Sequence, residues 1–235
     1  MLKNTFIMTA IAAGILGIFS FSLPKTPPVV DKNEKASIKT ILGLDALKLL
    51  TDKNFAIFFF SSVLICIPLA FYYQNANPFL TEIGVSNATG KMTIGQASEV
   101  IFMLLLPIFL KKYGIKKTLL FGMLAWEIRY LLFAYGNADG LVFMLLMGIA
   151  MHGICYDFFF VSGQIYTDAK APERFRSSAQ GLITLAAYGV GMLIGFWVAG
   201  HVTDHSAAPG AVHAWLSIWL FPAGFAPLIF FCLSV

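Results

Sequence analysis

Four ionisable side chains stand within long apolar stretches: Glu99, Glu127, Arg129 and Asp157. A charge at membrane depth costs about 2.5–3.5 kcal/mol on insertion scales, so it faces a cavity or a partner. Gln96 precedes Glu99 by one helical turn, which puts an amide and a carboxylate on one face. Such a pair can bind sugar hydroxyls and the edge of a planar base, and the acid can carry an exchangeable proton; an interhelical hydrogen bond is the plainer use. His152 and Tyr156 form an i,i+4 pair that Asp157 borders, and both the acid and the imidazole can pass protons. Arg129 and Glu127 are two residues apart and point to different faces. Arg129 reads as structural, with Asp157 on the following helix as its candidate partner. Tyr72, Tyr73, Gln74, Asn75, Asn77 and Pro78 crowd the end of another run. Rings beside amides suit stacking on a planar base, with Tyr73 and Gln74 the favoured contacts; an interfacial aromatic belt is the alternative.

These groups need membrane helices to hold them. The 235 residues are 58% hydrophobic and only 12% charged, an apolar excess that requires lipid as solvent. Apolar runs of spanning length lie at 5–23, 55–73, 92–110, 118–136, 140–166, 179–202 and 212–233. They do not alternate as barrel strands would. The expectation is an all-α membrane protein of about seven transmembrane helices. Residues 24–53 carry Lys25, Lys32, Lys35, Lys39, Lys48 and Lys53. Two later connections carry Lys111, Lys112, Lys116 and Lys117, and then Lys170, Arg174 and Arg176. The connections between them are poor in positive charge, so the basic side is the cytoplasmic one.

Residues 1–23 read as one transmembrane helix, with a signal peptide as the alternative. Residues 24–53 read as a cytoplasmic linker, stopped by Pro24, Pro27 and Pro28 and ending in a short amphipathic helix on the interface. Residues 54–235 read as six further helices. Gly191 and Gly195 form a GxxxG for close helix packing. Cys66, Cys155 and Cys232 sit in apolar runs as small buried hydrophobes. No phosphate loop, metal spacing or nucleophile–base arrangement is present in the sequence, and no basic aromatic face suits nucleic acid. No cofactor or metal is expected.

Several stretches together carry a resemblance: Leu42-Gly-Leu-Asp-Ala, Ala56-Ile-Phe-Phe, Gly95-Gln-Ala-Ser-Glu99, Lys112-Tyr-Gly-Ile-Lys, Ala125-Trp-Glu-Ile-Arg129, Leu132-Phe-Ala-Tyr-Gly, Tyr156-Asp-Phe-Phe and Arg176-Ser-Ser-Ala-Gln-Gly. In their order and spacing the chain resembles the bacterial nucleoside:proton symporters of the major facilitator superfamily, over nearly its whole length. The resemblance implies a multi-pass protein of the cell (inner) membrane, with nucleosides and protons as its partners. It implies that Gln96 and Glu99 contact the nucleoside, and that Tyr156 and Asp157 line the same cavity, with Tyr where Phe is usual. His152 replaces the family's tyrosine one turn earlier. The family's polar Gln and Asn on its seventh helix fall on Ala70 and Tyr73 here, so Gln74 or Asn77 stands in. Glu99 and Asp157 become the proton-coupling candidates.

The resemblance also implies that this is the C-terminal half of a twelve-helix permease, with an N-terminal half as missing partner. The rival expectations are a permease half for another polar solute such as a sugar, and an inert membrane subunit. An intramembrane enzyme is the weakest.

Overall fold

The computed structural model describes residues 2–25, 43–206 and 213–234. Most of the expected 24–53 linker and much of the 203–211 connection lie outside them. The chain divides into two units, Met1–Ser37 and Ile38–Val235. The first contains α1 (Leu2–Ser20), predominantly apolar and long enough to cross a bilayer.

The second unit is a helical bundle. Its helices are α2 (Lys53–Glu82), α3 (88–113), α4 (115–135), α5 (Val142–Lys170), α6 (Glu173–His205) and α7 (Trp215–Ser234). Antiparallel register is legible in the contacts of α4 with α5. Gly122 abuts Phe158, the Trp126 indole donates to the Cys155 carbonyl at 3.0 Å, and Gly148 abuts Phe133. Helix α3 runs parallel to α5: Gly95 abuts His152, and Phe102 meets Phe158 at 6.1 Å.

Several boundaries differ from the sequence expectation. Helix α2 continues through Pro78 to Glu82, because its polar outer turns stay helical and find partners across the bundle. Asn75 donates to Thr203 at 3.1 Å and Asn77 to Thr89 at 2.9 Å. The lysine-rich 111–117 connection is no loop. The chain reverses at Gly114, whose φ 73 and ψ 170 belong to a region open only to glycine. The amphipathic segment before α2 is a 3-10 helix, Leu44–Thr51. It buries Ala46 and Leu49 in the core instead of lying apart from the bundle. Cys66 and Cys155 are buried as expected of small hydrophobes, but Cys232 faces outward from α7.

The basic segments gather at one end. Lys170 pairs with Asp52 at 2.8 Å, Arg176 with Asp168 at 3.3 Å, and Lys116 donates to the Ser234 carbonyl at 2.8 Å. At the other end Glu82 holds both the backbone N–H and the ring of His213, each at 2.8 Å. An aromatic core of Phe79, Tyr130, Phe133 and Trp219 fills the space between, with Phe133 and Trp219 centred 5.1 Å apart. The glycines at 191 and 195 let α6 close on α2. A Cβ at Gly195 would lie 2.6 Å from the Cys66 carbonyl and 2.8 Å from the Ala70 Cβ.

Candidate functional site

Helices α2 to α5 converge on His152. Glu99 stands eleven positions past the first residue of α3, about 16 Å along the axis. Its neighbour Ser98 is buried and accepts the Gly153 N–H through its hydroxyl at 2.9 Å. Only glycine at 153 permits that approach, since a Cβ there would sit 2.5 Å from the Ser98 carbonyl. The close contact brings Glu99 Oε1 to 4.0 Å from His152 Nε2.

On its other edge His152 meets α4, where its Nδ1 lies 3.0 Å from Arg129 Nη1. Arg129 is fully buried, and its guanidinium lies 3.6 Å from the centre of the Tyr72 ring. Trp126 and Phe133 complete an aromatic cage around it, at 5.5 and 5.7 Å. The ring quadrupoles offset part of what the buried cation loses from water. The expected Arg129–Asp157 pair does not form. In the antiparallel register Arg129 reaches His152, whereas Asp157 sits near the level of Gly122, about two turns further along α4. Both Asp157 carboxylate oxygens are buried without a hydrogen-bond partner among the described residues. Glu127 is half-buried and lies off the Arg129 face.

Aromatic rings surround the imidazole. Tyr72 stacks on it at 5.1 Å, Tyr73 meets it edge-on at 6.4 Å, and Tyr156 lies 5.8 Å away. Tyr73 is about half exposed beside His152, and Gln96, one turn before Glu99, is exposed. Gln74 turns elsewhere: its amide nitrogen lies beside Gly200 of α6. Ala70, where the family's polar residue is expected, is buried against Gly195.

One residue escaped the sequence reading. Tyr188 of α6 hydrogen-bonds the Tyr156 hydroxyl and rings with Phe160 at 5.7 Å. It lies in a π-helical turn, Leu185–Gly191, opposite a second such turn, Asp157–Val161. Single π turns widen a helix and re-aim its side chains, and they recur at functional sites. The Gly-flanked Ala-Ala-Tyr-Gly-Val-Gly stretch was the available signal, because small residues leave a lone tyrosine conspicuous. One cavity of about 310 Å³, between Asn54, Phe58, Lys116 and Tyr166, opens at the basic end. It holds none of the groups around His152.

A family model described as nucleoside H+ symporter matches residues 2–235. The chain belongs to that family. It is 49% identical over 224 residues to YegT, a putative nucleoside transporter of Escherichia coli strain K12, covering 92% of this chain and 52% of YegT. The nucleoside permease NupG of the same organism is 33% identical over 234 residues, with 94% of this chain and 55% of NupG covered. Its xanthosine permease is 34% identical over 226 residues, covering 92% and 54%. The solved structure of NupG in its D323A form superposes with a TM-score of 0.80 at 31% identity, over 97% of this chain and 59% of that one. The fold is therefore a major-facilitator-type helical bundle, and the protein is a multi-pass protein of the inner membrane. The chain spans about half the length of the curated relatives it matches.

Proposed function

We propose that the permease to which this chain contributes moves nucleosides across the inner membrane by proton symport. In this reading 54–235 is its C-terminal six-helix half, 24–53 the linker and 1–23 the preceding helix. Alternating access needs two halves that rock about a midplane site, so an N-terminal half completes the machine. The observation that carries the reading is the convergence of Glu99, His152, Tyr73 and Tyr156 on one face at mid-depth, in a chain of this family. Tyr73 and Tyr156 supply stacking surfaces for a planar base. Gln96 and Glu99 supply an amide and a carboxylate for hydroxyls and base edges. His152 acts next to Glu99, while Gln74 contributes only if α2 turns within the loaded cavity. Glu99 and Asp157 are the proton-coupling acids: neutralising one stabilises the loaded cavity, and the proton gradient biases the return.

The test is uptake of labelled uridine or adenosine into vesicles carrying the full-length permease, with and without an inward proton gradient. Accumulation that a protonophore abolishes and that excess sugar leaves intact is the expected result. Uptake indifferent to the proton gradient would sink the symport reading.

A further inference from the structure

The chain Glu99–His152–Arg129 crosses three helices, and its middle member has a determined direction. An arginine guanidinium carries only donors. The 3.0 Å contact between Arg129 Nη1 and His152 Nδ1 therefore requires Nδ1 to accept. An imidazole that accepts at Nδ1 carries its proton on Nε2. That nitrogen is the one turned toward Glu99, 4.0 Å from its Oε1. Arg129 itself has little freedom, being fully buried and caged by Tyr72, Trp126 and Phe133.

We propose that Arg129 is a positioning residue that fixes His152 as the Nε2–H tautomer, so that His152 serves as a dedicated hydrogen-bond donor to the Glu99 carboxylate. The inference rests on the nucleoside-permease reading for its transport consequence alone. Across the 4.0 Å gap, longer than a hydrogen bond, Nε2–H is aimed at one oxygen of Glu99; closing the gap engages that oxygen and leaves the other to face the site. The 27% exposed side chain of Glu99 then presents an acceptor in one orientation to substrate hydroxyl or N–H donors. The charged and titratable groups that face His152 are Arg129 from α4, Glu99 from α3, Tyr72 and Tyr73 from α2, and Tyr156 on its own helix. Arg129 is the one whose contact with a ring nitrogen dictates the tautomer.

Two readouts test this. The first needs no transport: imidazole nitrogen NMR of the histidine-labelled protein, with the His152 signal assigned from His152→Gln. A pyridine-type Nδ1 and a pyrrole-type Nε2 are expected, with the pattern changed in Arg129→Met. An Nδ1–H ring or an imidazolium in the unsubstituted protein would overturn the proposal, as would an Arg129→Met spectrum identical to the parent's. The second is nucleoside uptake by the full-length permease. His152→Phe keeps the stacking but has no donor, and is expected to raise KM about 10-fold or more, the scale of a lost hydrogen bond to a charged group. His152→Gln can accept from Arg129 and donate to Glu99, and is expected to recover most of that loss. Equal losses in the two variants would overturn the proposal even if Arg129→Met does not fold. An unsubstituted permease that moves no nucleoside would refute the transport reading and leave the tautomer result to stand on the spectra.

Discussion

The Tyr156 hydroxyl meets the Tyr188 hydroxyl across α5 and α6, linking the residue before one π-helical turn to the middle of another. Both rings flank Phe160, at 5.0 and 5.7 Å, so the bond closes an aromatic group on the site face. Two helices that depart from regular geometry at the same level are thereby tied at that level.

Removing either hydroxyl leaves the other without its partner. Tyr156→Phe and Tyr188→Phe are each expected to cost about 0.5–1.5 kcal/mol, and the double variant no more than either alone. Thermal midpoints of the four proteins in one detergent close the cycle. Additive losses would show that the hydroxyls act separately.

The α2–α6 contact has no room for a methyl group. Gly195→Ala drives a Cβ to 2.6 Å from the Cys66 carbonyl and is expected to destabilise by about 1–3 kcal/mol. Gly224→Ala meets nothing within 4 Å and is expected to be neutral or stabilising by up to about 1 kcal/mol. Melting curves should fall for Gly195→Ala and hold or rise for Gly224→Ala.

At the basic end, the Lys170 ammonium and the Phe55 N–H hold the Asp52 carboxyl below its ordinary value of 3.8. A group depressed by folding stabilises the protein above its unfolded value and ceases to do so as pH falls through the folded one. Asp52→Asn should therefore lower the melting temperature at pH 7, and the difference should shrink as pH falls below 3.8 and vanish only beneath the lower, folded value. The pair is partly exposed, so added salt should shrink the difference at neutral pH. A deficit that persists in strong acid would assign the effect to the helix cap instead.

Asp157 buries two carboxylate oxygens without hydrogen-bond partners among the described residues, a cost the fold bears for some other end. Asp157→Leu is expected to stabilise by about 1–3 kcal/mol, while the full-length permease loses uptake driven by the proton gradient. A variant that is more stable and still concentrates nucleoside at the parent rate would remove Asp157 from the coupling.

Much of this was legible in the sequence. The apolar runs placed every described helix of the bundle, because membrane-spanning length is set by the bilayer and not by the fold. Gln96, Glu99, His152 and Tyr156 could be grouped because helical spacing alone puts each pair on a face. Partnership across helices was not legible. Arg129 takes His152 and not Asp157 because of the axial register between α4 and α5, which glycines at 122 and 148 adjust by permitting close approach. Tyr188 was missed because a π turn rotates it toward Tyr156, and a regular 3.6-residue period does not anticipate that rotation. The apolar run at 55–73 fell short of the helix end, since α2 carries its polar turn and Pro78 through to Glu82.

Glu99 and Arg129 stand fifteen residues on either side of Gly114, the single position at which α3 turns into α4. Each is about 22 Å from that pivot, so the two helices resemble tweezers with His152 held between their tips. A change of roughly 5° at the pivot shifts the tips by about 2 Å, enough to make or release a hydrogen bond at the 4.0 Å gap to Glu99. Leverage from one glycine at the membrane's edge thus reaches the middle of the bilayer with no loop to absorb it.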